Sequence, residues 1–209
     1  HRAAHWRISG PLAAGALARA LNEIVRRHEI LRTTYELAGG VPVQRIHPPA
    51  PFALEEEDLA GLAPDLQADA VEARASRLLE HPMDLSRDYP WRFRLLRLAP
   101  AEHLLLAVFH HIAADGWSDG VFVAELRRLL AGQELEALPV QCADFALWQR
   151  QRLADSRRET TLAFWRQQVA QCPAALEVPA DFPRPDVPRQ RGAREVLRFA
   201  PALQAALKS

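Results

Sequence analysis

Two adjacent histidines, His110 and His111, are followed closely by Asp115, Gly116, Trp117 and Ser118 within the stretch 102–130, EHLLLAVFHHIAADGWSDGVFVAELRRLL. Imidazole titrates near neutral pH, a carboxylate can hold a neighbour in place, and glycine reaches backbone conformations that other residues resist. Such a set could perform general acid–base chemistry. Adjacent strand residues point to opposite faces, so both histidines cannot address one ligand unless the strand has already broken into loop. One histidine is therefore expected in the site and the other packed behind it. A turn at Asp115–Gly116 is expected to fold the carboxylate back beneath the strand end. Gly116 is expected to supply backbone freedom and close approach of a ligand, and Trp117 to serve packing. Ser118 is expected to cap a helix, since no Ser–His–acid arrangement is implied. A metal site from His110, His111 and Asp115 is disfavoured, because the two histidines diverge and no further ligand cluster is visible.

The elements that must position this set can be read from the pattern. The apolar run His103 to Phe109, entered through a Pro-Ala-Glu turn, reads as a strand buried on both faces. A helix beginning near Asp119 carries Val121, Phe122, Leu126, Leu129 and Leu130 on its apolar face and stops at Gly132. Polar groups at the end of a buried strand lie where α/β proteins place chemistry. Upstream, the sequence predicts a strand over 1–9 and a helix over 12–28. A hairpin over 31–46 then turns at Gly39–Gly40, followed by an acidic edge over 52–58 and a helix over 66–79. Residues 91–98, WRFRLLRL, alternate apolar and basic and pair with the buried strand as a second hairpin, with one face solvated or against a polar partner. Downstream come helices over 141–153 and 158–171, a proline-rich stretch over 173–188, a strand over 193–199 and a helix starting at Pro201.

Composition narrows the function classes. The chain has 209 residues, 49% of them hydrophobic, and 26 basic residues balance 26 acidic ones. This neutrality disfavours nucleic acid and anionic membrane surfaces as partners. The longest apolar run falls far short of the roughly 20 residues of a membrane-spanning helix. Cys142 and Cys172 show no CxxC spacing and are expected as free cytosolic thiols. The chain begins with His1 and shows no signal peptide, so a cytoplasmic piece of a longer protein is expected.

His110, His111, Asp115 and Gly116 match HHxxxDG, and with them the sequence resembles the condensation domains of nonribosomal peptide synthetases. RHEILRTTY (27–35) resembles their RHExLRTxF segment, with Tyr35 in place of Phe, and HPMDL (81–85) resembles PFDL. LPVQCADFALWQR (138–150) resembles LPxQYxDYAxWQR, and LEVPADFPRP (176–185) resembles their LELPTDRPRP connector. The resemblance implies a chloramphenicol-acetyltransferase-like α/β sandwich, a mixed sheet with flanking helices, in a two-lobed domain. Residues 1–172 would be the N-terminal lobe, and 173–209 the connector and start of the C-terminal lobe. It implies amide formation between a donor thioester and the amine of an acceptor thioester, as in the making of peptide antibiotics and other secondary metabolites. Both substrates would ride on phosphopantetheine arms of partner carrier proteins, with no cofactor bound by the chain itself. A neighbouring adenylation domain and a second lobe would complete the machinery, and the lobe alone would be inactive. His111 would be catalytic, taking the amine proton or holding the amine, and His110 structural. Asp115 would form a structural ion pair with Arg27 or, failing that, Arg32. Rival expectations are a docking module for a carrier protein, an epimerising relative, and an acyltransferase using coenzyme A thioesters; a heterocyclising relative would carry aspartates in place of the two histidines.

Overall fold

The computed structural model describes residues 1–154, 157–173, 179–183, 186–187 and 197–208. They fall into two compact units, His1–Arg158 and Glu159–Ser209. The first unit holds the histidine loop. Its centre is a four-stranded mixed sheet in the order β1 (Arg2–Ser9), β6 (Glu102–Phe109), β5 (Trp91–Ala99), β4 (Glu55–Asp58). β6 runs antiparallel to both neighbours, with Arg2 opposite Phe109 on one side and Trp91 opposite Phe109 on the other. β4 runs parallel to β5.

The apolar run of β6 follows from its central place. From His103 to Phe109 every residue is buried, because helices cover both sheet faces. One face packs Leu105, Ala107, Phe109, Phe93 and Leu95 against α1 (Ala14–Arg27) and α3 (Gly116–Leu130). The other packs Leu96, Leu98, Leu104 and Leu106 against α2 (Pro64–Glu80) through Ala70, Val71, Ala75 and Leu78. α1 forms because Leu17, Ala20, Leu21, Ile24 and Val25 recur on one helical face, and all five are buried. Burial at roughly 1.5–3 kcal/mol per large side chain makes this face the main source of cohesion.

The acidic strand β4 has an electrostatic reason. Arg94 of β5 pairs with Glu55, Arg97 with Asp58, and Arg74 of α2 reaches Glu57 at 2.6 Å. Arg92 donates to the carbonyls of His81 and Pro82, both at 2.6 Å. Arg92, Arg94 and Arg97 are thus all engaged within the protein.

A short 3₁₀ turn, Glu29–Arg32, follows α1 and leads into the hairpin β2 (Thr33–Ala38) and β3 (Val41–Ile46). Gly39 and Gly40 close it at φ of 59° and 80°, values that favour glycine. Helix α4 (Cys142–Ala154) ends the first unit, and α5 (Arg157–Val169) spans the unit boundary. Within the second unit, the Phe164 and Trp165 rings meet edge-on at 5.3 Å, and α6 (Pro201–Ala206) starts on a proline at a first-turn position. Residues 193–196 of the expected strand over 193–199, and residues 176–178 and 184–185 of the connector segment, lie outside the described residues. Cys142 and Cys172 are both free and exposed. No described helix is long and apolar enough to cross a membrane.

Candidate active site

β6 delivers the histidines and then breaks, so the two imidazoles meet different surroundings. His110 is half-buried; its backbone N–H donates to the Pro90 carbonyl at 2.9 Å and its Nδ1 accepts from the Ile112 N–H at 3.1 Å. Burial holds its pKa below the ordinary histidine value. A ring that accepts at Nδ1 and resists protonation is a strut for the turn 110–113. His111 sits in that turn, exposed, with no hydrogen-bond partner among the described residues. Its imidazole is open to an incoming reactant.

The loop closes onto α3 differently from the expectation. Asp115, not Ser118, is the N-cap. Its Oδ1 accepts from Trp117 N–H at 3.0 Å, Ser118 N–H at 3.0 Å and the Ser118 hydroxyl at 2.9 Å, while Ser118 Oγ accepts from the Asp115 N–H at 3.0 Å. This is a capping box with serine at the third helical position. Those hydrogen bonds hold the Asp115 carboxyl below its ordinary pKa, the bond from Ser118 N–H foremost.

The ion pair expected between Asp115 and Arg27 or Arg32 does not form. Arg27 Nε donates to Glu125 Oε1 at 2.9 Å, and Arg32 pairs with Glu29 at 3.2 Å. The reason is geometric: the cap draws the Asp115 carboxylate to its own helix start, whereas Arg27, at the end of α1, lies across from the middle of α3. The arginine that does tie down this loop is Arg2 of β1, which donates to the Asp115 carbonyl at 3.1 Å and pairs with Asp119. As one of two arginines in an alternating strand, Arg2 carries no signal in sequence that singles it out.

Two further expectations are corrected. Gly116 is the first residue of α3, has no positive φ, and a Cβ added there would meet nothing within 4 Å. The chain itself therefore gives no reason for glycine at 116. Trp117 is 84% exposed rather than packed, with its ring at the rim of a cleft.

That cleft, about 230 Å³, opens beside the loop. Its walls include Ile24, His28, Ile30, Phe109, Trp117 and Val121. Behind it Glu125 of α3 receives Arg27 on one oxygen and His28 Nε2 on the other, the latter at 2.6 Å. Gln141 locks the same corner, donating to the Arg27 carbonyl at 2.9 Å and accepting from the Glu29 N–H at 3.1 Å. The RHE and LPVQ segments, far apart in sequence, are thus one hydrogen-bonded joint. Glu125 escaped the sequence reading because a single glutamate in an amphipathic helix looks like an ordinary surface residue, and Gln141, although it stands in the LPVQ segment, has no spacing that names its partner.

The family model described as Condensation domain matches residues 1–209. Chondramide synthase cmdD of Chondromyces crocatus is 42% identical over 198 residues, covering 92% of this chain and 5% of that protein. Phosphinothricin tripeptide synthetase PhsC of Streptomyces viridochromogenes is 37% identical over 211 residues, covering 98% of this chain and 19% of that protein. The chain therefore spans a small fraction of these relatives. Among solved structures, the X-domain from teicoplanin biosynthesis superimposes with a TM-score of 0.80 at 34% identity, covering 91% of this chain and 43% of that one.

Proposed function

The chain belongs to the condensation-domain family and has its chloramphenicol-acetyltransferase-like α/β fold; on that premise we propose that it serves amide formation in a nonribosomal peptide synthetase. The donor is an aminoacyl or peptidyl thioester and the acceptor the amine of a second thioester, each on the phosphopantetheine arm of a carrier protein. Residues 1–172 act as the first lobe and 173–209 as the connector and start of a second, next to an adenylation domain, in the cytoplasm. The observation that carries the reading is the contrast within the histidine pair: His110 is spent on the turn, and His111 is presented free at the end of a doubly buried strand.

The chemistry asks little of the protein beyond placement. The acceptor nitrogen attacks the thioester carbonyl, the carbon–sulfur bond breaks, and one proton leaves nitrogen while the departing sulfur gains one. An α-amino group of pKa about 8 is already partly unprotonated at neutral pH. Positioning is worth on the order of 7–11 kcal/mol, and a general base roughly 10²–10⁴-fold in rate. His111 takes the amine proton or holds the amine by a hydrogen bond. Asp115 and Arg2 act behind it, fixing the loop rather than touching substrate.

The test uses the parent synthetase with both carrier proteins loaded, following donor transfer by intact-protein mass spectrometry. His111→Ala is expected to lower the transfer rate about 10²–10⁴-fold. Transfer that survives at the wild-type rate would remove His111 from the chemistry. Carrier binding without transfer in the wild type would replace condensation with docking, and transfer from free coenzyme A thioesters without carriers would make the protein a stand-alone acyltransferase.

A further inference from the structure

The cleft beside the loop combines three properties. Its volume of about 230 Å³ lies below the 300–1,000 Å³ that encloses a whole small ligand, so it fits a group of side-chain size. Its walls are chiefly apolar, with Ile24, Ile30, Phe109, Val121 and Phe122 contributing. One wall is the His28 imidazole, whose state is set from behind by a buried carboxylate.

That setting follows from donor and acceptor counting. Glu125 has a side chain 12% exposed, and each of its oxygens is engaged, by Arg27 and by His28 Nε2. An ionised carboxylate only accepts, so Nε2 must carry the hydrogen in its 2.6 Å contact with Oε2. In the uncharged ring Nδ1 then holds the lone pair. Nδ1 has no hydrogen-bond partner among the described residues, yet it is absent from the buried unpartnered atoms, so it is open to solvent. Ser118 and Asp119 also line the cleft, but the Ser118 hydroxyl is engaged with Asp115 and both Asp119 oxygens with Arg2, so among the described lining side chains His28 Nδ1 is the acceptor left without a partner; a group lacking a matching donor would leave it unpaired.

We propose that this cleft is a binding pocket for an apolar group of side-chain size that carries a hydrogen-bond donor, such as a phenol or an indole, with Nδ1 of the neutral His28 ring as the acceptor and Glu125 as the positioning residue that fixes that ring's tautomer. The pocket rests on the proposed function only for its role there, selecting the side chain or acyl group of a substrate presented at the neighbouring His111 loop. Binding itself is read without any turnover.

The experiment uses the 209-residue chain labelled with ¹⁵N at histidine, in mildly alkaline solution. Long-range ¹H–¹⁵N correlation should show His28 with hydrogen on Nε2. Titration with p-cresol should then shift the His28 Nδ1 resonance and give nuclear Overhauser contacts to Ile30 and Val121. Because toluene is the more apolar probe, the relevant quantity is the ratio of the two Kd values in wild type against His28→Phe. A neutral hydrogen bond nets about 1 kcal/mol, so the p-cresol preference should fall about fivefold in the variant. Glu125→Gln should shift the tautomer population and reduce the same preference. The proposal is overturned by an Nδ1–H tautomer in the wild type, by failure of both probes to reach the cleft resonances, or by a ratio unchanged in His28→Phe. The first two readings need only the wild-type chain, so misfolding of a variant does not shelter the idea. Loss of condensation activity in the parent would leave these outcomes untouched, and the reverse also holds.

Discussion

The two faces of the central sheet are made by the same strands and solve the same burial problem, yet they are built differently. The α2 face is aliphatic: Leu96, Leu98, Leu104 and Leu106 meet alanines and small apolar residues. The α1/α3 face is aromatic and wired. Phe93, Phe109 and Phe122 make a ring cluster with Trp6 stacked on Phe122 at 4.9 Å, and Arg27, His28, Glu125 and Gln141 cross its edge. Leucine packing needs volume and no particular partner, whereas a ring cluster with a charged joint tolerates few alternatives. The specified face is the one that borders the loop and the cleft, while the generic face lies opposite and asks only for volume. The difference teaches where to look for function: at the side whose packing costs specificity rather than merely volume.

Substitutions on the two faces can break that contrast. The largest expected effect is Glu125→Ala, which strands two groups that now share one carboxylate and should cost about 3–5 kcal/mol in chemical denaturation. Replacing Arg27, His28 and Glu125 together with apolar residues of similar volume should recover much of that loss. If the triple replacement is as unstable as the single one, the joint is structural packing and the contrast between the faces fails. On the α2 face, fully buried Leu96→Ala should cost about 3 kcal/mol, and Leu96→Met much less, as expected where volume alone matters.

Smaller effects sharpen the picture at the loop. Asp115→Ala should lower the melting temperature by less than either core substitution and speed amide exchange in the first turn of α3, because the capping box is lost. The sign with pH is fixed by the hydrogen bonds to the carboxylate. They hold its folded pKa below the ordinary value, so the capping contribution is present at neutral pH. It fades as pH falls below about 4 and through the folded pKa, and the Asp115→Ala variant should lack that part of the acid dependence. The smallest expected effect is a gain. Tyr35 carries a buried hydroxyl with no hydrogen-bond partner among the described residues, and burial pushes its pKa up to about 12. Tyr35→Phe, the residue usual in the family's segment, should therefore stabilise by about 1 kcal/mol in the same denaturation series.

Much of the architecture could be read from residue order. The unbroken run of β6 reads as doubly buried because alternation is missing, and the Gly39–Gly40 hairpin and the proline start of α6 follow from local chemistry. What escaped depends on contacts between distant segments. Sequence spacing could suggest a buried ion pair for Arg27 but not its partner, because which turn of α3 faces the end of α1 is a packing outcome. The cap falls to Asp115 rather than Ser118 for a subtler reason: either residue type caps a helix well, and α3 begins at Gly116, three residues before the expected start near Asp119. Trp117 shows the limit of composition as a guide, since a large ring reads as core until the surface around it is known.

β6 is finished on one side by β5, its hairpin neighbour, and on the other by β1, whose Arg2 lies opposite Phe109. During synthesis the first strand must therefore wait for roughly two thirds of the first unit before its partner emerges. At about 5–20 residues per second that delay is roughly 5–20 s, and the loop to be closed carries the entropy cost of a long-range contact. Assembly of the sheet is thus a late event in the formation of the first unit, with Trp6 unable to stack on Phe122 until α3 has been made. Ribosome-arrested chains ending before β6 should remain protease-sensitive throughout, while chains long enough to expose α3 should become resistant together over β1, α1 and β6.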